Sequence, residues 1–483
     1  MYFDVATKTF KEENTEADKI AFVAADKNIS WTELKILSDK ICGVLEKVNA
    51  LNGSPVLVYG DKEAFFLAAI LACYRMGLPF IPVNNSLPKK RIEKIIEQTQ
   101  SNILIVAGND VPALQLPVII KNNFTVQQKG NTSFSKTITA AYILFTSGSS
   151  GEPKGVVISD ENITSFTQWF ANKFPVNKET VFINQAGFLF DISLADFFGA
   201  LQTGGTAIFN TNEITGNAIL FYDRINKYKG TYWNSTPSFI TRCLADKNFK
   251  TENLPGITHF VLSGENLAVT LVKELKNRFP KAVVINAYGP TEATIYASFA
   301  EITDELLNEN TLPICKTDNE FIHVEEDEII ITGGGVGVGY LNNEALTQQK
   351  FFLNSTKKTF HTGDAAFVKN NYIYYAGRKD EQIKLNGYRI ELNEIKHALE
   401  RIDFIEQAAC LPIIIEGKTK RLIAFILTKS SADNIETANI KNSLEKELPA
   451  YMIPSEIIML KEFPYTVSFK VDKQKLLNDY LAG

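Results

Sequence analysis

Histidine and cysteine are sparse in this chain, and neither is arranged for chemistry. The four histidines are scattered with no His-Glu-x-x-His pattern, which suggests neither a zinc hydrolase nor a Ser-His-Asp hydrolase. The five cysteines, Cys42, Cys73, Cys243, Cys315 and Cys410, are odd in number and far apart. They read as reduced, mostly buried thiols and not as a disulfide framework or zinc site. Long apolar runs are missing too, since nothing approaches the roughly 18 uninterrupted apolar residues of a membrane span. The start, Met1-Tyr-Phe-Asp-Val-Ala-Thr-Lys8, lacks the basic flank and apolar stretch of a secretion signal. A soluble, cytoplasmic protein without membrane insertion is expected. Lys/Arg tracts are also lacking and the formal net charge is −5, so no nucleic acid partner is implied.

What is present is length and apolar content. With 483 residues and 45% hydrophobic composition, the chain exceeds what one core usually holds, and two or more domains are expected. Up to about residue 375, short β-branched runs alternate with helical segments, the pattern of βα units on mainly parallel sheets. Ser30-Trp-Thr-Glu33 reads as a capping box opening a helix that ends near Lys47. Strands are expected at 55–59, 79–83, 181–184, 207–209, 231–233, 259–262 and 283–287, with helices at 63–76 and 194–201. The glycine run after Ile329-Ile-Ile-Thr332 does not fit Gly-x-Gly-x-x-Gly and reads as a strand and tight turn, not a dinucleotide site. Beyond Arg378 the texture changes to a small α+β module of about a hundred residues. The expected fold class is therefore α/β: a large N-terminal domain of mixed, mainly parallel sheets with flanking helices, and a small α+β C-terminal domain.

The most informative segment is Tyr142-Ile-Leu-Phe-Thr-Ser-Gly-Ser-Ser-Gly-Glu-Pro-Lys-Gly-Val-Val157. An apolar strand empties into a loop whose glycines let backbone N–H groups approach an anion, whose hydroxyls add donors, and whose Lys154 adds a charge. That is phosphate-holding chemistry. Pro153 stands before Lys154, so the loop is not a Walker A motif. Farther on, Ile285-Asn-Ala-Tyr-Gly-Pro-Thr-Glu292 delivers an aromatic face, a turn, a hydroxyl and a carboxylate at a strand end, and Phe360-His-Thr-Gly-Asp364 places an acid suited to vicinal hydroxyls.

The Thr-Ser-Gly-Ser-Ser-Gly-x-Pro-Lys-Gly arrangement resembles the signature of the adenylate-forming superfamily, which includes acyl-CoA synthetases, luciferases and peptide-synthetase adenylation enzymes. The resemblance implies ATP and Mg²⁺ as cofactors. It gives ATP or AMP binding to Thr146, Ser147, Gly148, Ser149, Ser150, Lys154, Gly264, Glu265, Asn286, Ala287, Tyr288, Gly289, Thr291, Asp364, Arg378 and Lys470, and Mg²⁺ binding to Glu292. The stretch Ala376 to Glu391 is similar to the family's junction motif, with Asp380 as the hinge between domains 1–379 and 380–483. Phe463-Pro-Tyr-Thr-Val-Ser-Phe-Lys-Val-Asp472 matches the stretch that carries the family's catalytic lysine, here Lys470. Phe469 stands where the family usually has glycine.

Substrate class follows from Phe188-Leu-Phe-Asp-Ile-Ser193, whose Phe-Asp-x-Ser element resembles that of the amino-acid-activating members. Asp191 there would pair with an α-ammonium; read without the resemblance, it is also a helix N-cap candidate. Gly230 to Phe239 and Leu262 to Leu267 look most like the D-alanine:D-alanyl carrier protein ligases. The family's substrate pocket falls on Asp191, Ile192, Ala195, Val261, Ser263, Ala287, Ile295 and Tyr296, and the bulk of Tyr296 implies a small side chain. Cysteine is usual in those ligases where Ser263 stands, which leaves glycine, L-alanine, serine and proline open beside D-alanine. The sequence reaches Gly483 without a Leu-Gly-Gly-x-Ser-like attachment segment, so the implied partner is a separate phosphopantetheinylated carrier protein. The competing readings are an acyl- or aryl-CoA synthetase and a nucleotide-binding homologue without turnover.

Overall fold

A computed structural model describes residues 1–12, 19–108, 114, 116–128, 138–148, 151–354, 356–415, 418–429, 436–466 and 471–482. The chain forms two compact units: residues 1–84, 96–144 and 155–377 make the first, and residues 85–95, 145–154 and 378–483 the second.

The first unit is built on two eight-stranded sheets. One contains the strands Val56–Tyr59, Phe80–Val83, Ile103–Val106, Val118–Lys121 and Tyr142–Thr146, paired in parallel, with the antiparallel strand Val126–Gln128 at one edge. The other runs Ile20–Val23, Thr206–Phe209, Val181–Asn184, Tyr232–Ser235, His259–Leu262 and Val283–Tyr288 in parallel, closed by antiparallel Asn28–Ser30 and Ser298–Glu301. Parallel neighbours need crossover helices, which is why strand and helix alternate along the sequence. The helices Ala64–Arg75 and Ile192–Thr203 are apolar nearly all round and are buried in the core shared by both sheets, where Tyr74 and Phe198 meet edge to face at 5.2 Å. A smaller antiparallel sheet of Cys315–Lys316, Ile322–Glu325, Glu328–Thr332, Phe351–Asn354, Lys357–Lys369 and Tyr372–Arg378 completes the unit.

Local signals were obeyed where they were strong. The helix Trp31–Lys47 opens on the expected capping box: Ser30 Oγ accepts from Glu33 N at 3.2 Å and Glu33 Oε2 accepts from Ser30 N at 2.7 Å. Lys62 is an exception to surface expectations. It is 1% exposed with φ of 72°, and its ammonium donates to the carbonyls of Gln185 (2.9 Å) and Asn210 (2.5 Å), which end two strands of the second sheet. Burial lowers its pKa to about 8.

In the second unit, Ile405–Ile415 and Lys418–Thr428 form an antiparallel hairpin, and Glu456–Leu460 pairs in parallel with the latter. Helices Leu392–Glu400 and Thr437–Leu444 pack on this sheet's core, and Lys473–Ala482 closes the chain. Among the described residues no helix is long and apolar enough to cross a membrane, and all five cysteines are free thiols.

Candidate functional site

In the first unit, the carboxyl ends of three adjacent parallel strands, Tyr232–Ser235, His259–Leu262 and Val283–Tyr288, deliver polar side chains to one edge of the sheet, the usual place for ligands in open α/β sheets. Val283–Tyr288 brings Asn286, Ala287 and Tyr288. Asn286 donates to the Pro313 carbonyl at 2.8 Å, and the Tyr288 hydroxyl donates to Asp364 Oδ2 at 2.5 Å, both buried. Thus the two residues expected at adenine and ribose are joined across 76 positions of sequence. Gly289 follows, where a Cβ would lie 2.4 Å from the Ile295 carbonyl oxygen, so only glycine lets the chain turn back so closely. Thr294 and Ile295 both hold positive φ, 59° and 70°; for β-branched residues this is real backbone strain, located where substrate contact was expected.

Thr291 and Glu292 lie in a short 3₁₀ turn. Glu292 is fully buried, and its Oε1 accepts from Tyr340 Oη at 2.9 Å. Asp191 occupies the residue before the helix Ile192–Thr203, yet its conformation is helical (φ −63°, ψ −25°) and its side chain makes no capping bond. The capping alternative is therefore not what the structure contains. One carboxylate oxygen, Oδ2, is buried without a hydrogen-bond partner. Burial, chiefly, and the charge of Glu292 raise its pKa to about 6 against the opposing hydrogen bond of Thr291.

Around Asp191 the expected pocket residues Ile192, Ala195, Val261, Ser263, Ala287, Ile295 and Tyr296 are all buried. Ser263 Oγ donates to the Tyr296 hydroxyl at 3.4 Å, and that hydroxyl donates to Asn234 Oδ1 at 2.6 Å. Asn234 was missed in the sequence, where the expected strand stops at Trp233; an amide at a strand end was the available signal. Gly264 and Glu265 follow the strand His259–Leu262, and Glu265 Oε2 accepts from Ser238 N and Oγ at 3.0 and 2.5 Å. That carboxylate is thus engaged at the start of the helix Pro237–Leu244.

Other expected residues fall in the second unit. Ser147 Oγ donates to Arg389 O at 2.9 Å and accepts from Glu391 N at 3.1 Å, and Thr146 Oγ1 donates to Lys154 O at 3.4 Å. A Cβ on Gly148 would meet the Glu152 carbonyl oxygen at 2.1 Å. The Gly148 N–H donates to Glu394 Oε2 at 3.1 Å, while Glu394 Oε1 takes Arg91 Nη1 at 2.6 Å, an ion pair with side chains 1% and 4% exposed. Replacing Arg91 by methionine should cost about 3–5 kcal/mol, since it strands a buried carboxylate; chemical unfolding of the variant measures this, and a loss below about 1 kcal/mol contradicts it. Lys154 is half-buried, and its charge acts on Glu391, whose carboxyl is nevertheless raised by burial. Arg378 and Asp380 are paired with each other, Nε to Oδ1 at 2.8 Å and Nη2 to Oδ2. Burial opposes ionisation of Asp380, but the hydrogen bonds and charge of Arg378 outweigh it and hold the carboxyl low. Ser149, Ser150 and Lys470 lie outside the described residues. Among the described residues no group of three or more His, Cys, Asp or Glu side chains forms a metal site.

Polar groups at parallel strand ends in the first unit, and a glycine- and hydroxyl-rich loop in the second, are each features of nucleotide-binding α/β enzymes. The chain belongs to the AMP-binding enzyme family: that family's model matches residues 10–341, and the AMP-binding enzyme C-terminal domain matches residues 394–470. It is thus an adenylate-forming, ATP-using ligase. It is 36% identical to the D-alanine--D-alanyl carrier protein ligase of Bacillus licheniformis over 489 residues, 96% of this chain and 97% of the relative. The protein of the same description from Bacillus velezensis is 37% identical over 501 residues, 99% of each. In fold, the Vibrio cholerae adenylation domain AlmE, solved in complex with glycyl-adenosine-5'-phosphate, superposes with a TM-score of 0.83 at 20% identity, covering 99% of this chain and 96% of that one.

Proposed function

We propose that the protein joins D-alanine, or a similarly small amino acid, to AMP and then transfers the aminoacyl group to the phosphopantetheine thiol of a separate carrier protein. The observation that carries this reading is the buried, unpartnered Oδ2 of Asp191. A carboxylate oxygen left without a hydrogen bond in a low-dielectric pocket is costly, and an α-ammonium is the partner that removes the cost. Fatty and aromatic acids have no such group. Tyr296 closes the pocket and favours a short side chain. The curated relatives' names support D-alanine within that class.

The remaining assignments follow the family. Thr146, Ser147, Gly148, Ser149, Ser150 and Lys154 hold phosphates, Asn286 and Tyr288 the adenine, Asp364 and Arg378 the ribose side, and Thr291 the α-phosphate. Glu292 suits Mg²⁺: it is a hard oxygen donor, buried and oriented by Tyr340, and Mg²⁺ commonly takes one or two protein carboxylates with the rest from phosphate and water. The bound ion would neutralise phosphate charge there. Lys470 supports the attacking carboxylate and the α-phosphate during adenylation, and rotation at Asp380 exchanges the two half-reactions.

The test is ATP–pyrophosphate exchange with D-alanine, L-alanine, glycine, D-serine, proline, hexanoate and benzoate. Exchange is expected with D-alanine or another small amino acid and not with the two ammonium-free acids. Exchange with hexanoate or benzoate alone would replace this reading by an acyl- or aryl-CoA synthetase.

A further inference from the structure

The pocket floor rests on a buried polar layer that no pocket residue explains. One turn and a half into the helix that follows Asp191, Asp196 points inward and is 1% exposed. Its Oδ2 accepts from Asn184 Nδ2 at 2.9 Å, whereas Oδ1 is buried without a well-formed hydrogen bond. The Asn234 amide faces the same carboxyl. Asn234 Nδ2 also donates to the Ile192 carbonyl at 3.2 Å, and its Oδ1 receives the Tyr296 hydroxyl. Asn184 is in turn held through its carbonyl by Asn210 at 2.8 Å. Burial raises the Asp196 pKa to about 8, opposed by the two asparagines and Lys62.

The Tyr296 ring borders a small, mostly apolar cavity whose lining includes Phe166, Trp169, Ala293, Ala297, Phe321 and Val336. The ring also packs against Phe174, stacked with centroids 6.2 Å apart, and edge-on to Phe166 at 6.2 Å. Its hydroxyl adds a directional hold, with Asn234 on one strand and Ser263 just past the end of the neighbouring one.

We propose that Asp196 is a positioning residue for side-chain selection: it orients the Asn234 amide, Asn234 holds the Tyr296 hydroxyl, and the ring is thereby kept in one orientation as a hard stop. This rests on the small-amino-acid reading above. A hydrophobic stop typically discriminates one methylene by about 10–200-fold, and freeing the ring removes much of that.

The measurement is the ratio of kcat/KM for alanine to that for 2-aminobutyrate, of the preferred enantiomer, in ATP–pyrophosphate exchange. Tyr296→Phe, which keeps the ring and deletes the hydroxyl, should lower this ratio about tenfold, and Asp196→Ala should do the same. Asp196→Asn, whose amide still meets Asn184 and Asn234, should recover selectivity. A purely structural role would lower activity toward both substrates together and leave the ratio unmoved. An unchanged ratio in Tyr296→Phe, a variant that adds no cavity at Asp196, overturns the inference even if Asp196→Ala does not fold. Wild-type protein that exchanges alanine while the variants keep its ratio sinks the inference alone; wild-type protein that exchanges no small amino acid sinks the functional reading and the inference with it.

Discussion

Asp191→Asn is expected to lower amino-acid-dependent pyrophosphate exchange by about 10²-fold or more while making the unliganded protein more stable. The two effects have one cause. In the folded chain the Asp191 carboxyl has a pKa of about 6 against an ordinary 3.8, because burial and Glu292 disfavour its charge. A carboxyl raised on folding gives stability that is present below the unfolded value and lost as pH rises through the folded one. Between 3.8 and about 6 the folded state holds the proton more tightly, and above about 6 it carries a charge it would better do without. At about 1.4 kcal/mol per pH unit, the penalty at pH 8 is on the order of 2–3 kcal/mol. Asparagine removes it and also removes the charge that draws an ammonium. Denaturant unfolding at pH 8 should therefore show a more stable variant, with the gap closing toward pH 4. Full exchange activity in the variant would mean that the ammonium is bound elsewhere.

The second large effect concerns Lys470. If this lysine supports the charge that concentrates as the substrate carboxylate attacks the α-phosphate, Lys470→Ala should depress adenylate formation by roughly 10² or more, the scale of a preorganised contact made mainly in the transition state. Carrier loading from synthetic aminoacyl-adenylate should be retained, because the family scheme withdraws the lysine before transfer. Pyrophosphate exchange reads the first step and carrier loading the second. Phe469→Gly, restoring the family's usual neighbour, should leave exchange equal or higher. Normal exchange in Lys470→Ala would show that another residue does this work.

What was legible in the sequence was local. The capping box at Ser30 and Glu33 spans three residues, and strand–helix alternation is set by periodicities of two and 3.6, so both can be read within a short window. The same holds for the loop after Phe145 and for the aromatic–turn–carboxylate run ending at Glu292. What was not legible was partnership across distance. Glu292 is oriented by Tyr340, 48 positions on; Tyr296 by Asn234, 62 positions back; Glu394 is neutralised by Arg91, 303 positions away. Nothing in local spacing encodes such pairs, because sheet order brings them together. For Asp191 the local signal, an acid before a helix, allowed capping beside the ammonium role that the resemblance implied, and the structure shows no capping bond and one carboxylate oxygen buried without a partner.

Lys62 gives the fold a built-in reporter. Its amine is sealed in the core with two carbonyls, so reagents that acylate surface lysines do not reach it while the sheet is intact. Its pKa of about 8 belongs to the closed, buried state, and an opening that hydrates the amine returns it to an ordinary lysine. Labelling at this one position therefore reports the opening of the sheet that carries Asn184, Asn234 and Asn286.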